Sequence, residues 1–237
     1  MSLERVLEPE VMDTEEEARD YDAMSHDVVN LRFCEDFIAL ARASNAMRVL
    51  DVGTGTALIP IEICKRAENV TVDAIDLGEH MLRAAEQNVR RHGLEARIRL
   101  HRMDAKRTPW PSGSFQAVIS NSIVHHIPEP GEVMGEMVRL LGSGGLLFVR
   151  DLLRPKSKEE AENLVTIHSP PDNRPDNEPE NGIDVERHRR QRNLFLASLY
   201  AALDLKEITS LVTQFQIPAS AVQVTSDRHW TLAWRRP

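Results

Sequence analysis

Val49-Leu50-Asp51-Val52-Gly53-Thr54-Gly55-Thr56-Ala57-Leu58-Ile59-Pro60 is an apolar run that stops at an acid and two spaced glycines before a helix begins. Met47, Val49, Leu50 and Val52 have the near-continuous hydrophobicity of a parallel strand buried on both faces. Gly53 and Gly55 open the backbone conformations that a sharp turn needs and let a ligand approach the main chain. Pro60 fits the first turn of the following helix, where its missing N–H removes a donor that has no helical partner. The stretch reads as strand, tight turn, helix, the repeating unit of a doubly wound α/β sheet.

Two nucleotide-binding readings compete for this turn. The dinucleotide fingerprint G-x-G-x-x-G wants a small residue where Leu58 stands, and Asp51 is an anion that would repel a pyrophosphate while suiting a cationic amino group. Both features count against a nicotinamide cofactor. Asp51-Val52-Gly53-Thr54-Gly55 instead resembles motif I, D/E-x-G-x-G, of the class I S-adenosylmethionine-dependent methyltransferases, with Ala57 at the place of the usual third glycine. A plain glycine turn in a doubly wound domain is the alternative this stretch leaves open.

The chain's 237 residues, 41% hydrophobic and 28% charged, suffice for one large α/β core and are few for two. A net charge of -8 argues against broad recognition of a phosphate backbone, so nucleic acid is not expected as a partner. Cys34 and Cys64 form no C-x-x-C pair, and the sequence indicates neither a disulfide framework nor a metal site. Apolar stretches fall short of the ~20 residues of a membrane span, and Met1-Ser2-Leu3-Glu4-Arg5 is not signal-like. The expectation is a soluble, cytoplasmic protein without a membrane partner.

Along the chain, residues 1–45 read as a helical cap. Thr14 precedes Glu15, Glu16 and Glu17 as an N-cap with acids in the first turn, and Val28 to Leu40 supply a second helix. Tyr21 and Met24 either pack this cap on the sheet or touch the cofactor directly. Residues 46–152 read as the cofactor-binding core. A second strand, Val70 to Ile75, ends at Asp76, and its helix stops at Arg90-Arg91-His92-Gly93, where cations meet the dipole and Gly93 caps. A third strand leads from Ile98 into Met103-Asp104-Ala105, a fourth spans Phe115 to Ser120, and Leu146 to Val149 form a fifth.

The resemblance covers about Met47 to Asp151 and carries further residues with it. Asp76, with Leu77 beside it, takes the place of motif II, whose acid accepts the ribose hydroxyls of the adenosine, although a helix-capping acid is also consistent with the letters. Asp104 and Ala105 take the place where an acid meets the adenine amine, and Asn121 follows the fourth strand at the cofactor. Asn121-Ser122-Ile123-Val124-His125-His126-Ile127-Pro128 resembles the post-strand motif of the ubiquinone/menaquinone-type, small-molecule branch. The N/D-P-P-aromatic turn of amine methylators is replaced here by Ser122 and Ile123, which disfavours nucleic-acid bases as acceptors. His126, then His125, are the candidates for a catalytic base, since imidazole titrates near neutrality. Either histidine could instead cap the turn.

Residues 153–203 read as an insertion or lid. Pro155 to Arg192 interleaves prolines with acids and is expected to build no core. Arg187, His188, Arg189, Arg190 and Arg192 suit either an acidic acceptor or a solvated helix face. Residues 204–237 supply a helix and two strands, Ala221 to Thr225 and His229 to Arg235, of which the family makes one antiparallel. The whole is expected as one domain, a mostly parallel seven-stranded sheet of the Rossmann-like methyltransferase type. It is expected to move a methyl group from S-adenosyl-L-methionine to a small-molecule acceptor, leaving S-adenosyl-L-homocysteine. A non-catalytic binder of that cofactor and a nicotinamide-dependent oxidoreductase are the alternatives.

Overall fold

β1 (Met47–Val52) is the centre from which the sheet grows, flanked by β2 (Val70–Asp76) and β4 (Phe115–Asn121), both parallel to it. The computed structural model describes residues 3–10, 14–22, 27–41, 47–169 and 182–237. Beyond β2 lies β3 (Ile98–Arg102), and beyond β4 lie β5 (Leu141–Leu152), then β7 (His229–Arg235) and β6 (Val222–Val224). The seven strands run in the order β3-β2-β1-β4-β5-β7-β6, and β7 alone is antiparallel to its neighbours. The expected seven-stranded, mostly parallel sheet is therefore present, with its antiparallel member at the expected place.

Successive strand residues face opposite sides of a sheet, so the apolar runs fill two cores. Leu50, Val52, Val118, Leu147 and Val149 pack on one face against Val133, Met134 and Met137 of α5 (Pro130–Leu140) and Ile208 and Val212 of α8 (Leu205–Thr213). Val49, Val72, Ala74, Ile119 and Phe148 pack on the other. Their partners are Phe33 and Phe37 of α2 (Asp27–Ala41), Ile61 and Ile63 of α3 (Leu58–Arg66), and Ala85 and Val89 of α4 (Glu79–Arg91). Burial on both faces is what near-continuous hydrophobicity demands of parallel strands. α8 is closed by a reciprocal capping box between Asp204 and Glu207. Among the described residues, no helix is long and apolar enough to cross a membrane.

The expectation that Pro155 to Arg192 builds no core is corrected. α6 (Lys158–His168) forms inside it, capped by the Ser157 hydroxyl, which accepts from Glu160 N–H. Its buried Leu164 and Val165 join Leu152 and, from α7 (Gly182–Ala201), Leu199 in a third cluster. The acids that disguise α6 in the sequence occupy its exposed face, Glu159 and Glu160 lying in the first turn, where they complement the helix dipole. The proline-rich residues 170–181, like Met24, lie outside the described residues. The basic run falls inside α7, and Arg190 there is paired with Asp20 of α1 (Glu15–Asp22) at 2.9 Å instead of facing a pocket.

The loop after β3 is fastened to α5 by one carboxylate. Glu136 accepts from the Thr108 backbone and hydroxyl, both at 2.7 Å, and from Arg139. Burial alone would raise this carboxyl, but the bonds from Arg139 and Thr108 hold it down to about 2. A depressed carboxyl stabilises the fold above its ordinary value, and that contribution is lost as pH falls through the folded value. Glu136→Gln is therefore expected to lower the melting temperature at pH 7 relative to the parent, with the gap closing as the pH approaches 2. A gap of constant size across an acid titration followed by calorimetry would show that the charge of Glu136 is not what anchors the loop.

Candidate active site

The pocket opens at the carboxyl ends of β1, β2 and β4, where the strand order reverses around β1 and turns leave the sheet on both sides. Gly53 (φ 74°) and Gly55 (φ 53°) both occupy left-handed backbone conformations. The Gly53 and Thr54 N–H groups donate to the Ile75 carbonyl, each at 2.9 Å, which folds the turn onto β2. A Cβ on Gly53 would stand 2.1 Å from Ile123 Cγ2, so glycine is required there for close approach as well as for φ. Ala57 also lies at φ 63°, which explains why a glycine is usual at this place and identifies Ala57 as a strained substitute.

Asp76, at the end of β2, ties the two glycine turns together. Its Oδ2 accepts from Gly55 N–H at 2.8 Å and its Oδ1 from Gly78 N–H at 2.9 Å. Around it the pocket wall takes in Gly53, Gly55, Leu77, Asp104, Ala105, Asn121 and His126. Asp104 accepts from Lys106 N–H at 2.9 Å. Asn121 presents a buried Oδ1 with no hydrogen-bond partner among the described residues, an acceptor that a ligand's N–H or O–H would satisfy.

Of the remaining sequence candidates, one is buried away from the wall and one has a side chain that is not described. Asp51 is 2% exposed and is not part of the wall; burial, helped by the charge of Asp76, pushes its carboxyl up to about 7. Tyr21 belongs to α1, and its side chain lies outside the described residues. Conversely, the pocket contains residues that sequence reasoning missed. Met81, Met103, Ile123 and Ile127 give it an apolar lining, and Glu10 reaches it from the N-terminal segment, ion-paired to Lys106. The apolar residues resemble ordinary core in the letters, and nothing local marks Glu10.

The two histidines occupy a single 3-10 turn, Val124–His126, directly after β4. His125 is 3% exposed, with its Nδ1 2.5 Å from Asp151 Oδ1 at the end of β5. The other Asp151 oxygen accepts from the Val124 backbone at 2.6 Å. On the opposite side, Glu8 Oε1 lies 3.4 Å from His125 Nε2 and 3.2 Å from His126 Nδ1, near enough for charge interaction but without hydrogen-bond geometry. Burial opposes charge on His125, yet Asp151 and Glu8 raise its pKa above the ordinary imidazole value. His126 behaves oppositely: burial and the neighbouring His125 push it down to about 3. The pocket is thus faced by an imidazole held neutral, while the one whose neighbours favour a proton is held behind it.

A family profile described as a methyltransferase domain matches residues 49–145, the strands and turns that build this pocket. Residues 49–145 are thus similar to a known family of methyltransferase domains. Phosphatidylethanolamine N-methyltransferase of Cereibacter sphaeroides is 36% identical to it over 111 residues, 46% of this chain and 53% of that protein. Demethylmenaquinone methyltransferase of Porphyromonas gingivalis is 36% identical over 110 residues, 46% of this chain and 45% of that protein. The chain thus spans about half the length of the curated relatives it matches. A solved Methanococcus maripaludis protein, provisionally assigned as an S-adenosyl-L-methionine-dependent methyltransferase, superposes with a TM-score of 0.66. The match covers 98% of this chain and 97% of that one at 18% identity, a likeness of fold.

Proposed function

We propose that this chain passes a methyl group from S-adenosylmethionine to a small-molecule acceptor by in-line displacement within the pocket at β1, β2 and β4. Asp76 carries this reading. Its carboxylate, fixed by the two glycine turns, lies at the pocket wall where a pair of ribose hydroxyls would donate to it. The Gly53–Gly55 turn leaves the main chain open to close approach, Asp104 and Ala105 would meet the adenine, and the unpaired Asn121 Oδ1 would accept from the amino-acid end. The sulfonium of the bound cofactor supplies an already activated methyl group, with S-adenosylhomocysteine as the product.

The protein's own residues align and dehydrate. Ile123, Ile127 and Met103 exclude water from the reacting centre, and the main-chain turn holds the donor in place. His126 is the member of the histidine pair that reaches the pocket, and as a neutral imidazole it offers a lone pair to an acceptor's proton. His125 lies behind it and acts by positioning. The relatives named for a phospholipid and a quinone precursor favour a small-molecule acceptor for this chain as well.

Calorimetric titration of the full chain with S-adenosylmethionine, S-adenosylhomocysteine and NAD tests the cofactor assignment. The two sulfur ligands are expected to bind and to raise thermal stability by ~2.7 kcal/mol at a hundred times the dissociation constant, and NAD to do neither. Transfer of labelled methyl from the cofactor into a fractionated metabolite extract then separates an enzyme from a silent binder. Binding without transfer into any fraction would favour the binder, and preference for NAD would overturn the proposal.

A further inference from the structure

We propose that Glu8, His125 and His126 form a binding site for a divalent transition-metal cation of the Zn²⁺ type, whose remaining coordination position faces the pocket. One ligand atom from each side chain lies within 4.8 Å of those of the other two. The separations from Glu8 are more telling: its Oε1 stands 3.2 Å from His126 Nδ1 and 3.4 Å from His125 Nε2. Tetrahedral ligands with bonds of about 2.0–2.1 Å stand about 3.3–3.5 Å apart, so both separations are close to an edge of that coordination figure.

The surroundings are those of a supported site. Asp151 holds Nδ1 of His125, which turns Nε2 toward Glu8, the carboxylate–histidine arrangement that orients metal-binding imidazoles. Ser198 Oγ donates to the other oxygen of Glu8 at 3.2 Å. Glu8 itself is carried on an N-terminal strap that is fastened to the fold. Arg5 bonds the carbonyls of Ala201 at 2.7 Å and Ile127 at 2.9 Å, and Val6 N–H donates to Tyr200 O at 3.1 Å.

Polar satisfaction points the same way. The Glu8 side chain is 5% exposed, yet its Oε1, like Nδ1 of His126, has no hydrogen-bond partner among the described residues. Buried acceptors brought this close repel one another unless something positive lies between them. The nearby full charges are the two carboxylates, Glu8 and Asp151, and the Arg5 guanidinium, so with neutral imidazoles the cluster carries a net negative charge that a divalent cation would reverse. A proton on His125 is the competing way to balance it. His126 is the ligand that also forms part of the pocket wall, so a fourth ligand would arrive from there. A hydroxyl or thiol bound at that position would ionise more readily, its proton passing to solvent.

The site is tested on the full chain after chelator treatment, by calorimetric titration with Zn²⁺ and by the visible spectrum with Co²⁺. The expected result is one cation per chain and the intense absorption of four-coordinate cobalt. Glu8→Gln and His126→Ala are each expected to weaken Zn²⁺ binding about tenfold or more. Absence of the four-coordinate spectrum in the parent protein overturns the proposal, and so does Zn²⁺ affinity that either folded variant leaves unchanged. The parent's spectrum decides the matter even if both variants fail to fold. S-adenosylmethionine binding to the metal-free chain is measured in parallel, so failure of the cation site and failure of the cofactor assignment give different patterns.

Discussion

Alanine at His126 is expected to lower turnover at saturating S-adenosylmethionine by about 10²–10⁴-fold while leaving cofactor affinity nearly intact, the signature of a group that acts on the acceptor. Burial and His125 keep this imidazole neutral down to about pH 3, so the lone pair is available throughout the physiological range. So low a value also makes it a weak base. A proton arriving on His126 must therefore be stabilised as it arrives, and the Glu8 carboxylate at 3.2 Å is placed to do this. Glu8→Gln should accordingly reproduce part of the loss. The pH profile of the parent should show no loss of rate from His126 protonation between pH 8 and about 4. A His126→Ala protein that melts early and binds cofactor poorly, with turnover at saturation unchanged, would assign the histidine to holding the turn. Chelator treatment separates the two active roles: a loss that chelation of the parent reproduces belongs to a ligand, and one that persists in metal-free protein belongs to a base.

Asp76→Ala is expected to weaken S-adenosylmethionine binding by at least tenfold in calorimetry. Two charge-assisted bonds from the ribose hydroxyls are worth ~1.5–3 kcal/mol each before water compensates. The structure adds a second cost. Because Asp76 also accepts from Gly55 and Gly78 N–H, its removal leaves two backbone donors unpaired and loosens both turns, so the melting temperature should fall together with affinity. Asp76→Asn retains one acceptor oxygen, and its affinity should lie between parent and alanine. Unchanged binding by a folded Asp76→Ala protein would remove this acid from the cofactor site.

The division between what was legible in the letters and what was not follows the range of the interactions involved. The run from Val49 to Pro60 encodes its strand, its turn and its helix through residues adjacent in the chain: burial on both faces calls for continuous hydrophobicity, and left-handed turns call for glycine. Once parallel strands are given, right-handed crossovers bring the ends of β1, β2 and β4 to one side, and Asp76, Asp104, Asn121 and His126 arrive at a common pocket. Other features required the folded chain. α6 displays only a thin apolar stripe among acids, and Leu164 and Val165 make a core only when Leu199 of α7 packs on them. Asp51 looks like a ligand-facing anion at the end of a strand, yet packing buries it, and burial pushes its carboxyl up to about 7. Most of all, the surroundings of the histidine pair were decided in three dimensions. Glu8 comes from a strap at the start of the chain and Asp151 from the end of β5, and they meet His125 from opposite sides. Periodicity and motif spacing report on neighbours in sequence, whereas the charge, tautomer and ligand geometry of a buried imidazole depend on groups that only tertiary packing brings within a few ångströms.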